Sequence, residues 1–569
     1  MISELIGLVA ILLAIFLPAI VLGRYIAKVY MGQPTFTDFM APLERLIARG
    51  AGISLKREMD WKANLLALIS LNAVFFFWAM VVLLLQGVLP LNPDAIASME
   101  PTQAFNTAVS FMTNTNLQHY SGESGATYFT QLFVFCFLQF VSAASGMAAL
   151  ACVFVAITRS ESSETGNFYR FLILSCTRVL LPLAVLVAIG LLLGGVPATL
   201  QGSEHIITLA GDTVSVARGP VAPMVAIKQL GTNGGGYFGP NSTHPFENPS
   251  YLVNMLENWA ILVLPVAMVF AFGFFANRRN EAQIFFMVMF AGMLLLLVPT
   301  ILGEVGGNIN LHPIGVVQPT GSLEGKEVRF GPMASALWGV CTTVTSNGSV
   351  NAMHDSFTAL SGTFLLLGMM VNAFFGGVGV GFLNFYIFIV LAVFISGLMV
   401  GRTPELFGKK VEAREVKIAS LVFLLHPFLI LVGTALAAFG ATGLGPDAGG
   451  WLANPGFHGF SEMLYEFTSS AANNGSGFEG LGDNTPFWNI ATGVVMLLAR
   501  FLPIIGPLAI AGMLAQKRAI PASAGTLETA SSTFGLVTLF IILILSALAF
   551  FPVLILGPVA EHFSQFITQ

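Results

Sequence analysis

Ten runs of about 20 apolar residues recur from one end of the chain to the other, and a run of that length is what a helix needs to cross the hydrocarbon core of a bilayer. They lie near 3–22, 64–87, 129–157, 172–195, 254–276, 283–302, 357–400, 418–440, 487–515 and 530–553. With 55% hydrophobic and only 9% charged residues among 569, the chain cannot make a soluble surface, because soluble domains carry roughly 25% charged residues. An all-α membrane protein of about ten transmembrane helices is expected. The first run, Ile2 to Leu22, has neither a basic stretch before it nor a small-residue cleavage site after it, so it reads as a retained helix and not as a signal peptide. Cys136, Cys152, Cys176 and Cys341 lie in or beside apolar runs without metal-ligand spacing. They suggest neither a disulfide framework nor a zinc site.

Passing the runs alternately through a membrane places the 24 lysines and arginines on one side, apart from Arg218, Lys228, Lys326 and Arg329 on the other and Arg500 inside an apolar run. The basic side is then cytoplasmic and both termini are extracytoplasmic. The run 357–400 breaks the pattern, because as one helix it would be about 66 Å long, twice the hydrocarbon thickness. Its ends must still lie on opposite faces, so Phe374-Phe375-Gly376-Gly377-Val378-Gly379-Val380-Gly381 is predicted to interrupt it. Such backbone survives at membrane depth only where protein or a wet cavity surrounds it.

Four loops on the extracytoplasmic side share one arrangement: a segment too short to span, a cluster of small polar residues, then the next full span. The clusters are Thr113-Asn114-Thr115-Asn116, Thr232-Asn233-Gly234-Gly235, Thr345-Ser346-Asn347-Gly348 and Ala472-Asn473-Asn474-Gly475. Their centres Thr115, Asn233, Asn347 and Asn474 are 118, 114 and 127 positions apart, which is a repeat of span, re-entrant loop and span. One Asn-Gly alone would be a turn; four of them, each after a half-span, are a pattern. The segments Thr107–Met112, Pro223–Leu230, Met333–Val344 and Glu462–Ala471 read as half-helices whose C-terminal ends, partially negative, point at the clusters and favour a cation there. A ring of backbone carbonyls can replace the hydration shell of a bare monovalent ion. No cluster contains Asp or Glu, so this neutral, dipolar filter suits potassium better than a divalent cation.

The predicted organisation is residues 1–63 as a first helix and basic loop, four pseudo-symmetric units at 64–157, 172–276, 283–400 and 418–515 around a central pore, and 516–569 as a final helix. Arg500 carries a charge in an apolar span and must face a partner or water. It is either a positive barrier below the filter or the partner of a carboxylate. Lys228 either tunes the potential near the second cluster or snorkels to the interface. Glu304, at a membrane boundary, either attracts cations or is solvated. His354 and Asp355 read as structural groups satisfying nearby backbone. In the loop Gly23–Asn64, basic residues accompany Leu43, Leu46 and Ile47 at helical spacing, which suits a membrane surface with anionic lipid or a soluble partner.

The clusters, with Asn351-Ala352-Met353-His354-Asp355-Ser356-Phe357-Thr358-Ala359-Leu360, Gly401-Arg402-Thr403-Pro404-Glu405 and Asn454-Pro455-Gly456, resemble those of the potassium-binding A subunits of the bacterial Kdp potassium-transporting ATPase, a family in the superfamily of potassium transporters. The similarity covers essentially the whole chain. It implies a bacterial inner-membrane complex with a P-type ATPase B subunit and small C and F subunits, in which the A subunit selects extracellular potassium and passes it through an intramembrane tunnel toward the B subunit. The resemblance transfers a filter role to Asn114, Thr115, Asn116, Thr232, Asn233, Gly234, Ser346, Asn347, Gly348, Asn473, Asn474 and Gly475. It also places Gln118 just behind the first segment, where a matching glutamine is linked to ion affinity. The interrupting Gly376, Gly377 and Gly379, with Arg500, are read from the broken run and the buried charge as a pore gate or barrier. Asn116 departs from the glycine of the other three segments, and Asn372 stands where some relatives have glutamate.

The chain has neither an Asp-Lys-Thr-Gly phosphorylation site nor a Gly-x-x-x-x-Gly-Lys-Ser/Thr phosphate loop, so ATP and Mg2+ belong to a partner and K+ is the only ion expected on this chain. An intramembrane hydrolase is disfavoured, because no activated nucleophile stands at recognisable spacing. A self-sufficient channel or symporter of the same superfamily is the alternative to a pump subunit. No nucleic-acid partner is expected.

Overall fold

The computed structural model describes residues 2–311, 314–401, 403–443, 448–520 and 528–567; Arg402 of the Gly401–Glu405 motif lies outside them. Among these residues, ten helices are long and apolar enough to cross a membrane: Glu4–Met31, Trp61–Val88, Thr130–Thr158, Phe168–Leu193, Tyr251–Phe275, Arg279–Gly306, Val380–Met399, Ala413–Ala441, Pro486–Ala515 and Ser532–Gln565. Each falls on one of the ten predicted runs. Their starts are set by local capping. Asp60 accepts a 2.8 Å hydrogen bond from the Ala63 N–H, Ser250 caps Val253, and Thr485 caps Trp488 with Pro486 in the first turn, which satisfies donors that a helix start leaves unpaired. The first helix runs past Leu22 to Met31 and stops where Gly32 turns left-handed at φ 70°.

The ten helices form an inner and an outer layer. The third is the most enclosed, with nearly all of its apolar stretch buried, whereas the first and last helices leave most of theirs exposed. Small residues cause this: Ser142, Ala143, Ala144, Ser145 and Gly146 let neighbouring backbone approach closely, and a Cβ added at Gly146 would stand 2.7 Å from the Val378 carbonyl oxygen. The C-terminal end of this helix is held by Lys409, whose Nζ donates to Ala156 O at 3.2 Å and Ile157 O at 3.3 Å, a cation placed where helix carbonyls are unpaired. The first helix packs along the fifth, with Trp259 Nε1 donating to Ala14 O at 3.1 Å.

The run 357–400 is broken, as its length requires. Helix Ala359–Val371 ends at Asn372, helix Val380–Val400 begins after Gly379, and Asn372, Phe375, Gly377 and Gly379 between them take φ values of 45°, 67°, 85° and 82°. Four short helices, Pro101–Met112, Val221–Leu230, Gly331–Val344 and Phe457–Ala472, sit among the long ones. The first begins at Pro101 and not at the predicted Thr107, because Glu100 Oε2 accepts from the Thr102 and Gln103 N–H groups and proline suits the first helical position. The last begins at Phe457 and not at Glu462, directly after Gly456 at φ 80°.

In the loop 23–64, helix Ala41–Gly50 presents Leu43, Leu46 and Ile47 outward, while Glu44 on its other side pairs with Arg178. Strand is confined, among the described residues, to two short hairpins: Glu204–Ile207 with Thr213–Val216, and Glu405–Leu406 with Lys409–Lys410.

Candidate ion-binding site

Each short helix ends in the same way. Asn114, Thr232, Ser346 and Asn473 turn left-handed at φ 65°, 48°, 51° and 52°. The N–H groups of Thr115, Asn233, Asn347 and Asn474 then reach back to the carbonyls of Ser110, Lys228, Thr342 and Ser469 at 2.9, 2.9, 3.0 and 2.9 Å. This is a left-handed helix cap closed by a six-to-one hydrogen bond. The third residues, Asn116, Gly234, Gly348 and Gly475, return to left-handed φ values of 56°, 85°, 87° and 99°. Left-handed residues thus flank a central residue outside that region in all four segments, and this alternation turns successive carbonyls toward one side instead of to opposite sides as in a strand. Asn116 follows its glycine counterparts because asparagine is among the few side chains that tolerate the left-handed region.

Side-chain amides close the four segments into a ring. Asn114 Nδ2 donates to Thr232 O at 2.8 Å, Asn347 Nδ2 to Lys228 O at 3.2 Å, Asn474 Nδ2 to Thr342 O at 2.8 Å, and Asn473 Nδ2 back to Thr115 Oγ1 at 3.0 Å. Asn116 Nδ2 meets Asn233 Oδ1 at 3.2 Å. The glycines are where one segment's carbonyl crosses the next: a Cβ at Gly234 would lie 2.6 Å from Asn347 C, and one at Gly475 3.0 Å from Thr115 C. All residues of the four segments are buried except Gly475, which is partly exposed. Four helix C-termini therefore converge on one uncharged ring of backbone.

Above the ring opens a vestibule of about 790 Å³ that reaches Gly348 and Gly475 and is lined by Gln118, His119, Glu327, Glu479 and Asp483 among others. Gln118 clasps the loop after the second segment from both sides, accepting from the Gly236 N–H at 2.8 Å and donating to Gly236 O at 3.1 Å. At the vestibule wall, burial disfavours a charged His119 imidazole, but the carboxylates of Asp483 and Glu466 outweigh it and hold the group up at about 9.

Below the ring, the broken helix comes up against the second and third segments. The Val378 N–H donates to Thr232 Oγ1 at 3.0 Å, and Ser346 Oγ donates to Asn372 Oδ1 at 3.0 Å. Asn114, Ser346, Asn372, Gly376, Gly377, Asn473 and Arg500 surround a small cavity there. Gly379 lies at the same level, pressed against the backbone at Gly146. Arg500 is 6% exposed and donates through Nη2 to Ser142 O at 3.0 Å. Among the described residues no carboxylate pairs with it, which removes the expectation of a carboxylate partner.

Three other expectations change. Lys228 is fully buried and does not snorkel: its Nζ donates to Asn241 Oδ1 at 2.6 Å and Ser242 Oγ at 2.8 Å and pairs with buried Glu247. Glu304 is neither solvated nor a lure for cations; it is buried, pairs with Lys326 at 2.7 Å and accepts from the Thr358 N–H at 2.9 Å. His354 and Asp355 bond side chains and not backbone, His354 Nδ1 to the Tyr465 hydroxyl at 2.8 Å and Asp355 Oδ1 to His458 Nε2 at 2.9 Å. In each case the partner is supplied by a neighbouring loop or helix that packs over the group.

Several contributors carry no sequence signal of their own. Ser142 Oγ bonds Asn114 Oδ1 at 2.8 Å and Asn233 Oδ1 at 3.1 Å, and Asn241 Nδ2 takes the Gly234 carbonyl at 2.7 Å. Only the run of small residues around Ser142 hints that something must approach there.

The family described as "Potassium-transporting ATPase A subunit" matches residues 9–563. The chain belongs to that family. Among its relatives are proteins of Flavobacterium johnsoniae, 58% identical and covering 99% of both chains, and of Bacteroides thetaiotaomicron, 56% identical over 99% of this chain and 100% of the relative. A protein of Alicyclobacillus acidocaldarius is 48% identical over 98% of this chain and 99% of its own. All three are named potassium-transporting ATPase potassium-binding subunit. The crystal structure of the potassium transporter TrkH from Vibrio parahaemolyticus shares the fold, with a TM-score of 0.52 over 86% of this chain and 96% of that one at 13% identity. Membership of an ATPase subunit family favours the pump-subunit reading over a self-sufficient channel.

Proposed function

We propose that the chain is the potassium-binding and translocating subunit of the Kdp ATPase, and that K+ is held by carbonyls of the ring formed by Asn114–Asn116, Thr232–Gly234, Ser346–Gly348 and Asn473–Gly475. The observation that carries this reading is the same left-handed, six-to-one closed backbone in four segments that brace one another in a circle. Such a ring offers oxygen dipoles without fixed charge, matching a weakly hydrated monovalent cation better than a divalent one. The four units that present it are residues 64–157, 172–276, 283–400 and 418–515, with an added helix at each end.

The ion enters from the vestibule on the extracytoplasmic side, where both termini lie, in a bacterial inner membrane. Below the ring, Arg500 and the break at Gly376, Gly377 and Gly379 bar the direct path, because a guanidinium remains charged when buried and repels a cation in a low dielectric. The small cavity under the ring shares Asn372, Asn384 and Ala499 with a second one bounded by Met370, His426, Pro503 and Phe550, and this sideways course leads toward a P-type B subunit that uses ATP and Mg2+, with C and F subunits completing the complex. Helix Ala41–Gly50 rests on anionic lipid.

The test is potassium uptake by cells lacking other uptake systems, supplied with micromolar or millimolar K+. The proposal expects Gly234→Asp to abolish uptake at micromolar supply; wild-type uptake at both concentrations overturns it.

A further inference from the structure

His119, Glu466 and Asp483 come from three separate parts of the chain and meet at the vestibule wall. His119 Nε2 lies 3.2 Å from Glu466 Oε1 and 3.9 Å from Asp483 Oδ2, and one ligand atom from each falls within 4.8 Å of the others. Ligand atoms about 2.0–2.2 Å from a tetrahedral zinc ion stand roughly 3.3–3.6 Å from one another. The three groups thus need little rearrangement to share one ion.

Two further observations point to a ligand. The first is the histidine's tautomer. Asn489 Nδ2 donates to Thr102 Oγ1 at 3.1 Å and Asn484 Oδ1 at 3.3 Å, so its Oδ1, 2.6 Å from His119 Nδ1, accepts the Nδ1 proton. Nε2 is left facing the two carboxylates, and a ring whose other nitrogen donates to an oxygen is the usual state of a metal-bound histidine. The second is Glu466, which is 1% exposed and whose carboxylate, among the described residues, has the one hydrogen bond to His119 Nε2. A buried carboxylate needs a cation beside it; without metal the charged His119 imidazole fills that place, and a metal ion bound by the three groups would take it over. Asp483 is 30% exposed at its side chain, which opens the cluster to the vestibule.

We propose that His119, Glu466 and Asp483 form a regulatory site for a divalent transition-metal ion, with Zn2+ as the best match, in the vestibule that leads to the ring. Imidazole with carboxylates suits zinc, whereas Mg2+ prefers an all-oxygen octahedron. The metal takes the Nε2 lone pair and any Nε2 proton leaves to solvent. Water from the vestibule completes the coordination. A divalent charge in the vestibule opposes entry of K+, so zinc raises the half-saturating K+ concentration several-fold. That consequence rests on the proposed function, but metal binding does not and is measured without potassium.

The experiment titrates Zn2+ into the full-length chain in lipid nanodiscs by calorimetry, in potassium-free buffer. One Zn2+ per chain is expected at micromolar concentration, weakened at least tenfold in His119→Gln and in Asp483→Asn, with no heat from Mg2+ at the same concentration. Absence of zinc binding below millimolar concentration, or unchanged affinity in both variants, overturns the site. If His119→Gln fails to fold, judged by its thermal transition, the partly exposed Asp483→Asn decides alone. Zinc binding with no effect on half-saturation by K+ would retain the metal site and count against the ion path proposed above.

Discussion

Replacing Gly234 with alanine isolates the demand that the ring makes on its backbone. The residue sits at φ 85°, where a Cβ costs about 1–2 kcal/mol by itself. The added methyl also lies 2.6 Å from both Asn347 C and Gly348 C, and closer still to Asn347 O. Reaching an ordinary contact of 3.4 Å requires the Asn347 and Gly348 carbonyl carbons to retreat by about 0.8 Å and the Asn347 oxygen by more, and a close-packed interior offers no void to receive them. Asn347 is braced to Lys228 O and its N–H is tied to Thr342 O, so the shift either breaks those bonds or withdraws the Asn347 carbonyl from the ring. Losing one ion–dipole contact is comparable to losing a hydrogen bond to a charged group, about 1.5–3 kcal/mol. That corresponds to a fall of about 10- to 100-fold in K+ affinity. Gly50 is the control, because a Cβ there meets nothing within 4 Å. Initial rates of K+ uptake across a concentration series should give a half-saturation point raised at least tenfold for Gly234→Ala and unchanged for Gly50→Ala. A wild-type half-saturation point in Gly234→Ala, at normal abundance in the membrane, would refute the reasoning.

Gln118→Arg should raise half-saturation with maximal uptake comparatively intact, since it loses the clasp on Gly236 and adds a positive charge to the vestibule; an unchanged titration of K+-stimulated ATPase activity would remove Gln118 from the ion path. Arg500→Met should uncouple transport, and K+ flux through reconstituted complex with and without ATP should reveal a passive leak; a fully coupled, leak-free variant would sink the barrier. His458 bridges Asp355 Oδ1 and Glu561 Oε1, each at 2.9 Å. Burial opposes its charge, but these carboxylates raise it to about 10. Its stabilising effect is therefore complete below the unfolded value of about 6.5 and is lost as pH rises through 10. His458→Gln should lower the thermal midpoint most below pH 6.5 and not at all above pH 10, and a pH-independent difference would exclude the ionic bridge.

The membrane class, the ten spans and the broken helix were legible because each follows from a length: an apolar run matches the bilayer or it does not, and 44 residues cannot be one crossing. The four clusters were legible because the same polar pattern recurred after each half-span. The starts of the short helices were not, since the N-cap at Glu100 and the turn at Gly456 depend on local geometry that hydropathy does not carry.

Sequence alone determined which residues bear the ring's chemistry: small amides, hydroxyls and glycines without a carboxylate, a choice encoded locally by the left-handed caps they favour. Tertiary structure decided everything that depends on which loops meet. It placed Ser142 behind the first two segments, enclosed Lys228 with Glu247 and Glu304 with Lys326, set Arg500 on a backbone carbonyl, and brought His119, Glu466 and Asp483 together. The physical reason is that a side chain's charge and polarity are read from its own identity, whereas its partner is chosen by how loops pack, which hydropathy does not carry.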